Sequence, residues 1–421
     1  MSDSTAGEVL TTQDGKPLKA ALAKALRREK LRSLALIAPL LVFILITFVA
    51  PIADMLFRSV ENGIVADTLP RTVIALQEWD PDSGQIPDET VFAALYDDMV
   101  IAVDQKTHTR LGSRLNYEES GISSLFRKTG RRIKRMDEDT AFQAQFIDAD
   151  KKWGQVETWQ VLQQFSPRYT DGYFLNSVDA HRTAEGIELK PADERIYMFL
   201  FGRTLFLSIV ITLSCLLLGY PIAFLLASLP LRTSNLLMIL VLLPFWTILL
   251  VRTSAWKVLL QQQGVINDFL VWIGIIGDAN RLVMINNQTG TIIAMTHILL
   301  PFMILPLFSV MKTISPSYVR AAKSLGANDW IAFWRVYFPQ SVPGIGAGAV
   351  LVFILSIGYY ITPELVGGTS GIFISNRIAY HISSSLNWGL AAALGTLLLV
   401  AVMVLFVVYD RIVGIDNVKL G

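Results

Sequence analysis

The residues of this chain whose types and spacing are best suited to bind another protein lie in one polar segment, Ser315–Ile345. Pro316 opens the segment, and proline is favoured in the first turn of a helix because its missing N–H has no partner there. The stretch Tyr318–Leu325 can form two helical turns, and Gly326 can adopt the left-handed conformation that ends a helix. The sequence therefore predicts a short helix that stops at Gly326.

A second helix is predicted directly after this turn. Asn328 or Asp329 can cap its free N–H groups through a side-chain oxygen. We expect the helix to cover Trp330–Phe338 and to end at Pro339 and Pro343, because proline removes a backbone hydrogen bond from a helix interior. The segment should thus form two short helices joined by a glycine turn, outside any lipid bilayer.

The side chains of this segment favour protein binding over catalysis. Ala321 and Ala322 are small enough to let another surface approach closely. Trp330, Phe333 and Trp334 are aromatic residues of the kind that dominate binding energy at interfaces. The alternative interpretation is an ordinary pair of surface helices that bind nothing.

Several other kinds of chemistry are excluded by the sequence. A G-x-x-x-x-G-K-[ST] phosphate loop does not occur, since Gly15 and Lys16 are followed by Pro17 and lack the upstream glycine. Cys215 is the only cysteine, which excludes an internal disulfide and a cysteine metal cluster and indicates a small packing residue. The four histidines lack metal-ligand spacing, and the net charge of +1 does not favour nucleic acid as a partner. We expect no enzymatic activity, metal or cofactor in this chain.

The elements that must position the polar segment are membrane-spanning helices. Hydrophobic residues make up 52% of the chain and charged residues 17%, against roughly 25% charged in soluble domains. A span needs about 20 mostly apolar residues. Six stretches meet or approach that length: Leu34–Phe57, Met198–Leu226, Leu236–Leu260, Thr291–Val310, Gly344–Ile361 and Leu390–Val413. A shorter apolar stretch, Val265–Ile276, is expected to be interfacial or re-entrant. The predicted fold class is all-α integral membrane, with about six transmembrane helices.

The distribution of basic residues predicts which side of the membrane each loop and terminus lies on. Residues 1–33 carry a run of lysine and arginine that alternates with Leu and Ala at helical spacing, which indicates a basic amphipathic tail at the inner leaflet. Because Lys and Arg next to spans tend to stay cytoplasmic, we place this tail inside. Six spans, the first at 34–57, then put the loop 312–343 and the C-terminus inside as well.

Residues 58–196 form a separate polar segment between the first and second spans. They include 17 Lys or Arg and 24 Asp or Glu, which is ordinary soluble composition. By parity of the spans this segment lies outside the cytoplasm. Within it Asp137–Gln164 is predicted to be helical, with a buried side formed by Phe142, Phe146, Trp153, Trp159 and Leu162. The segment is either a docking platform for an extracytoplasmic partner or an insertion without such a role.

On the polar segment the chain resembles the permease subunits of ABC importers. The cytoplasmic loop of that family reads Glu-Ala-Ala, three residues, Gly, then a Phe and a Leu-Pro. Five residues match this pattern at the right spacing, namely Ala321, Ala322, Gly326, Phe333 and Pro339. Arg320 stands where the family most often has Glu, and Phe338 replaces Leu. The resemblance implies that this loop, including Arg320 and Asp329, supplies a coupling helix that seats on a separate ATPase.

The resemblance extends over about residues 196–411 and is greatest to permeases of the spermidine/putrescine type. Four further motifs carry it: Leu243–Thr247 followed by Arg252, Leu299–Phe302, Pro343–Ile345 and Thr362–Gly368. It implies a type I permease core over 197–421 in a bacterial inner membrane. It also implies four kinds of partner: two copies of an ATP-binding subunit that use the ATP and Mg²⁺, a second homologous permease, a periplasmic substrate-binding protein and a small cationic solute. Residues 58–196 are not part of the family pattern.

A cationic solute would need an acid and aromatic faces, which attract ammonium groups by ~0.5–2 kcal/mol each. Six residues are candidates to line the path of this solute through the membrane, and we call them the pathway candidates: Trp246, Arg252, Trp256, Tyr359, Tyr360 and Glu364. The alternative is that charged side chains such as Arg203, Arg252 and Lys257 snorkel to the interface and that the aromatic residues form an interfacial belt. His297 lies deeper in its span, and we expect it to form a hydrogen bond between helices.

Two other classes of membrane protein are alternatives to an importer subunit. A gradient-driven secondary transporter would have inverted repeats and acidic residues at mid-membrane, which the sequence lacks. A membrane-anchored signalling protein built on residues 58–196 would need one anchor rather than six spans. Within the importer class an opine, an amino-acid derivative or an iron chelate is an alternative solute.

Overall fold

The computed structural model describes residues 18–81, 83–183 and 186–413. These residues divide into two compact units, one that ends at Phe57 and one that begins at Arg58. The part of the predicted basic tail that precedes Leu18 lies outside the described residues.

The described residues of the first unit form one continuous helix. It consists of α1 (Leu18–Ile44), a π turn (Leu45–Val49) and α2 (Ala50–Arg58). The predicted tail helix therefore continues into the first span without a break, because the strong helix formers around residue 33 give the chain no reason to end a helix there. The part Glu29–Arg58 is apolar and long enough to cross a bilayer. Its apolar side chains point outward on all sides, as for Leu36 at 85% exposure, which is typical of a helix that faces lipid.

The second unit begins with a bundle of short helices and one hairpin. The helices are α3 (Ile64–Thr68), α4 (Pro70–Ala75), α5 (Glu89–Asp104), α6 (His108–Leu115), α7 (Ile122–Arg132), α8 (Phe142–Ala149), α9 (Val156–Gln164) and α10 (Gly172–Ser177). The strands β1 (Ala180–Thr183) and β2 (Gly186–Leu189) pair antiparallel, with Ala180 opposite Leu189. We call residues 58–196 the insertion.

The insertion has its own aromatic core. Phe92, Phe126, Phe146, Trp153 and Trp159 are all completely buried. The rings of Phe92 and Trp159 meet edge to face at 4.7 Å, and those of Phe146 and Trp153 at 5.5 Å. The indole N–H of Trp153 donates to Thr129 Oγ1 at 2.9 Å, so the polar edge of the ring is also satisfied. The buried aromatic side that the sequence predicts for Asp137–Gln164 is confirmed.

The predicted continuous helix Asp137–Gln164 is wrong, because the chain breaks between α8 and α9. Asp150 adopts an extended backbone with φ −157°, and its carboxylate accepts a hydrogen bond from the backbone N–H of Lys152 at 3.1 Å. A 3-10 turn, Lys151–Gly154, follows. This local capping by Asp150 competes with helix continuation and turns Trp153 toward the core.

The rest of the second unit is the helical core that follows the insertion. Its helices are α11 (Tyr197–Ser228), α12 (Leu231–Leu242), α13 (Leu249–Leu259), α14 (Val265–Trp272), α15 (Gln288–Thr313), α16 (Pro316–Ser324), α17 (Asp329–Ala332), α18 (Phe338–Gly358), α19 (Ile361–Val366), α20 (Gly368–Gly371), α21 (Ile374–Ser383) and α22 (Trp388–Val413). Besides α11, three regions of this core are single helices that are long and apolar enough to span a membrane. They are α15, the run from α17 through α18, and α22. The predicted fold class of an all-α membrane protein is confirmed.

Helices α11, α15 and α18 pack together as the centre of this core. Leu207, Cys215 and Met303 are completely buried between them, which agrees with Cys215 as a packing residue. A Cβ atom on Gly348 would lie 3.1 Å from the carbonyl oxygen of Met303, so only glycine lets α18 approach α15 this closely. Small residues at such crossings are typical of membrane helices.

The predicted single span Leu236–Leu260 is instead two helices. The pair Leu231–Trp246 and Leu249–Leu259 is bent by 94°. The bend follows a 3-10 turn at Leu243–Trp246 that contains Pro244, after which Thr247 has an extended backbone. Proline lacks the N–H that a continuing helix would need, which explains why the chain turns here. Helix α14 is too short to span a bilayer.

Pro339 and Pro343 do not end the second helix of the polar segment, contrary to the prediction. The helix runs without interruption over Asp329–Gly358 and includes a π turn at Phe333–Tyr337. Pro339 lies in the first turn of α18, directly after that π turn. A π turn changes the pairing of backbone groups locally, so a residue without an N–H is accommodated there.

Candidate functional site

Helix α16 ends in the glycine turn that the sequence predicts. Gly326 has φ +93°. Its N–H donates to the carbonyl of Lys323 at 3.0 Å, and the N–H of Ala327 donates to the carbonyl of Ala322 at 3.0 Å. These two bonds form a Schellman motif, which satisfies the last carbonyls of the helix and needs a left-handed residue at the position of Gly326.

The start of the second helix is also locally determined. Asn328 Oδ1 accepts a hydrogen bond from the backbone N–H of Ile331 at 2.8 Å, so Asn328 and not Asp329 is the side-chain cap. Asp329 instead forms an ion pair with Lys323 across the turn. The turn between α16 and α17 is thus held by a cap and by one exposed ion pair.

The outer side of this turn presents an exposed apolar surface. Leu325 at its tip is 89% exposed and Trp330 is 71% exposed. Most of the predicted coupling residues are exposed with them, namely Arg320, Ala321, Gly326, Asp329 and Pro339, while Ala322 is half-buried. Large apolar side chains on a well-ordered turn are typical of a surface that another protein covers. We call residues 318–331 the coupling turn.

The inner side of the segment is fixed to the end of α11. Phe333 is half-buried and meets the ring of Phe224 edge to face at 5.7 Å and that of Tyr220 at 6.2 Å. The Tyr337 ring lies 5.1 Å from Phe224. The Lys312 ammonium donates to the carbonyl of Ala227 at 3.2 Å. Phe333 therefore contacts its own transmembrane core, whereas Trp330 and Trp334 are exposed.

Most of the candidate pathway residues lie on or next to α13 and α19, which contact α15 and α21. The indole N–H of Trp256 donates to His297 Nδ1 at 3.0 Å, which confirms the predicted hydrogen bond of His297 between helices. The hydroxyl groups of Thr253 and Thr362 lie 3.2 Å apart and join α13 to α19. Neither threonine is among the predicted pathway residues.

Two polar residues of α21 hold the segment Tyr359–Glu364. Asn376 Nδ2 donates to the Glu364 carboxylate at 2.6 Å and to the carbonyl of Tyr360 at 2.9 Å. Ser375 Oγ donates to the carbonyl of Tyr359 at 2.6 Å. The Glu364 side chain is exposed, so its orientation is set while its charge remains accessible. A polar pair between two apolar stretches was the signal that could have identified Ser375 and Asn376.

The remaining pathway candidates have different surroundings. Arg252 is half-buried, and its Nη2 donates to the carbonyl of Thr247 at 3.1 Å. Trp246 lies in the turn at the bend between α12 and α13 and is 87% exposed. Within residues 18–81, 83–183 and 186–413 there is no cluster of histidine, cysteine and acidic side chains that could hold a metal ion.

Comparison with known families gives a match over the helical core. Residues 201–415 match the family described as "Binding-protein-dependent transport system inner membrane component". The matched region begins in α11 and extends past the end of α22, so it contains the coupling turn and all the pathway candidates.

Individual relatives agree with that match. The spermidine/putrescine transport system permease protein PotB of Haemophilus influenzae is 36% identical over 216 residues, which is 51% of this chain and 75% of the relative. PotB of Escherichia coli is 34% identical over 224 residues, 53% of this chain and 81% of the relative. A solved bacterial ABC transporter involved in import of the acidic polysaccharide alginate is 21% identical, with a TM-score of 0.43 over 53% of this chain and 80% of that one.

Proposed function

Because this chain belongs to the family of binding-protein-dependent transport system inner membrane components, we propose that it is the permease through which an ABC importer moves a polyamine-like cation. It is a membrane-embedded transport subunit and not an enzyme. The proposal beyond this concerns the solute, the partners and the transmission of force.

The observation that carries the coupling proposal is the two-sided character of one segment. Its outer side exposes Leu325 and Trp330, while its inner side places Phe333 against α11. A separate ATP-binding subunit would cover the outer side. Movement of that subunit would then pass through the ring of Phe333 to α11, because closely packed side chains transmit displacement.

The orientation follows from the charges that flank the spans. The loop 312–343 contains four basic residues and Asp329 as its one acid, which favours the cytoplasmic side. The insertion then lies on the opposite side, where a substrate-binding protein would dock. The full importer would contain two ATP-binding subunits, which use the ATP and Mg²⁺, and a second homologous permease.

A polyamine-like solute is favoured by the chemistry around Glu364 and by the names of the relatives. Asn376 orients the Glu364 carboxylate, and Tyr359 and Tyr360 lie directly before its helix. A carboxylate attracts an ammonium group, and aromatic faces add about 0.5–2 kcal/mol each. Trp256 and Arg252 would shape the same region without supplying negative charge.

Uptake of labelled spermidine and putrescine by cells or vesicles that carry the complete transporter tests the solute. We expect Glu364→Gln to raise the KM for uptake about tenfold, since one charge-assisted contact is lost. Glu29→Gln, at an exposed position of α1 outside the insertion, is the matched control and should leave KM unchanged. Uptake of an opine, an amino-acid derivative or an iron chelate in place of polyamines would reject the solute and leave the permease assignment intact.

Purification from the native membrane tests the assembly. We expect a stoichiometric ATPase to accompany this chain and uptake to require ATP. A chain that purifies alone and transports with an ion gradient as its sole energy source would contradict the proposal.

A further inference from the structure

One segment of the insertion, residues 127–135, contains six basic residues and no acid. The insertion as a whole has 24 acidic against 17 basic residues, so this segment reverses the charge locally. Helix α7 and the 3-10 turn Ile133–Arg135 that follows it carry the segment, and all six basic residues are exposed. The insertion therefore presents one concentrated positive surface.

The six basic residues fall into two groups according to their ion pairs. Three of them pair with acids of the insertion at 2.6–2.9 Å, namely Lys128, Arg132 and Lys134. The other three form no ion pair with any residue that the structure describes, namely Arg127, Arg131 and Arg135. Arg127 instead donates to the neutral Ser123 Oγ at 3.0 Å. We call these three residues without an ion pair the arginine stripe.

The arginine stripe follows one face of its helix. Arg127 and Arg131 are four residues apart on α7, and Arg135 follows four residues later in the 3-10 turn. Residues at this spacing are neighbours on a helix surface, and like charges there destabilise the helix. The buried residues of α7, among them Phe126 and Thr129, lie on the opposite face. A repulsion that no acid of this chain relieves indicates an acid supplied from outside.

Helix α6 lies between α7 and the helical core. On one side Thr109 and Ser113 of α6 line a cleft whose opposite wall is the segment 384–389, directly before α22. On its other side a Cβ atom on Gly112 would lie only 2.9 Å from Cβ of Phe126 in α7. Since the arginine stripe lies on the face of α7 opposite to Phe126, it points away from the core and from the lipid around it. The matching partner is therefore a soluble one.

We propose that the arginine stripe docks an acidic surface of the substrate-binding protein. This inference rests on the proposed transport function, which places that protein on the side of the insertion. The pair of helices α6 and α7 adjoins the segment before α22, so a protein that delivers solute to the core comes within reach of the stripe. Complementary charges of this kind speed association and fix the orientation of the partner.

The test measures the affinity of the purified substrate-binding protein for the complete transporter in nanodiscs. The binding protein used is the one that supports uptake by the reconstituted transporter. The stripe variant carries Arg127→Gln, Arg131→Gln and Arg135→Gln together. The matched control carries Lys106→Gln, Arg110→Gln and Arg195→Gln, three exposed basic residues of the insertion outside the stripe that form no ion pair within the described chain. Both variants lose the same number of positive charges.

We expect the stripe variant to bind the substrate-binding protein about tenfold more weakly than the wild type at low salt. The control should change the affinity less than about twofold, because solvent-exposed charges far from a contact are screened. Raising the salt from about 50 to about 300 mM should weaken binding by the wild type more than binding by the stripe variant. The thermal midpoint of the stripe variant should not fall, since a like-charge repulsion is removed.

Three results would overturn the proposal and leave the transport function intact. The first is an unchanged affinity and salt dependence of the stripe variant. The second is an equal loss of affinity in the stripe and control variants, since the overall charge of the insertion would then attract the partner. The third is a stripe variant that loses binding to phosphatidylglycerol vesicles and keeps its affinity for the binding protein, which would assign the stripe to lipid. Uptake that requires no binding protein would instead reject the proposed function, and this docking surface with it.

Discussion

Asp179 Oδ1 lies 3.0 Å from the backbone nitrogen of Tyr197, the first residue of α11. The same carboxylate accepts hydrogen bonds from the N–H groups of Ile196 at 3.1 Å and Met198 at 2.8 Å. Asp179 is buried and belongs to the insertion, so the insertion caps the first long helix of the core. A carboxylate at this end is also favoured by the helix dipole. These hydrogen bonds join the insertion to the helical core within the second unit.

Replacing Asp179 by Asn should lower the free energy of unfolding by about 1–2 kcal/mol, because the helix loses a charged cap. Asparagine tolerates the left-handed backbone of Asp179, φ +57°, so the substitution tests the charge rather than the backbone. The midpoint of thermal unfolding in detergent measures the effect. Asp148→Asn, at an 85% exposed side chain, is the control and should change stability little. Equal midpoints for both variants would contradict this role.

Gly326→Val should impair transport without preventing membrane insertion. Valine in the left-handed region costs about 1–2 kcal/mol or more, which disfavours the Schellman motif that shapes the coupling turn. We expect ATP hydrolysis to persist while solute uptake falls. Gly277→Val is the matched control, since Gly277 has φ −80° and open space around it. Unchanged uptake by the Gly326 variant would show that the turn does not couple.

Phe333→Ala and Trp330→Ala should fail in different ways. The exposed Trp330 would contact the ATPase, so its loss should reduce the amount of ATPase that copurifies with the chain. Phe333 packs against Tyr220 and Phe224, and its loss should leave the ATPase bound but reduce uptake per ATP hydrolysed. Pull-down and coupled uptake assays on the same preparations distinguish the two. Identical behaviour of both variants would contradict the separation of outer and inner sides.

His381 should make stability depend on pH. Its ring is buried, with Nε2 2.9 Å from the Tyr197 hydroxyl and Nδ1 2.8 Å from Ser385 Oγ. Burial, together with the charge of Arg377, lowers the pKa of His381 to about 4 from an ordinary value of 6.5. Above pH 6.5 the imidazole is neutral in both the folded and the unfolded chain. As the pH falls from 6.5 toward 4, only the unfolded chain takes up the proton, so stability decreases.

The loss over this range should be about 3 kcal/mol at most. Thermal unfolding of the wild type and of His381→Gln, followed between about pH 7 and about pH 4.5, measures it as the difference between their slopes. An identical slope in His381→Gln would exclude this source of the pH dependence.

Much of the architecture could be predicted because the signals are local. The apolar stretches, the turn at Gly326, the cap at Asn328 and the aromatic side of α8 and α9 each depend on residues within one or two helical turns. Hydrogen bonding and burial of such residues are decided by their immediate neighbours in sequence. The family pattern Ala321–Pro339 lies in the same class of short-range features.

Other features required the folded chain. The 94° bend after α12, the uninterrupted helix through Pro339 and the cap on α11 all differ from or exceed what the sequence predicts. The cap on α11 and the orientation of Glu364 each depend on a partner in another element, 18 residues away for Asp179 with Tyr197 and 12 residues away for Asn376 with Glu364. Local composition shows that a helix can form or a carboxylate can bind. Which helix continues, and which donor reaches that carboxylate, is settled by contacts that exist only after the chain has folded.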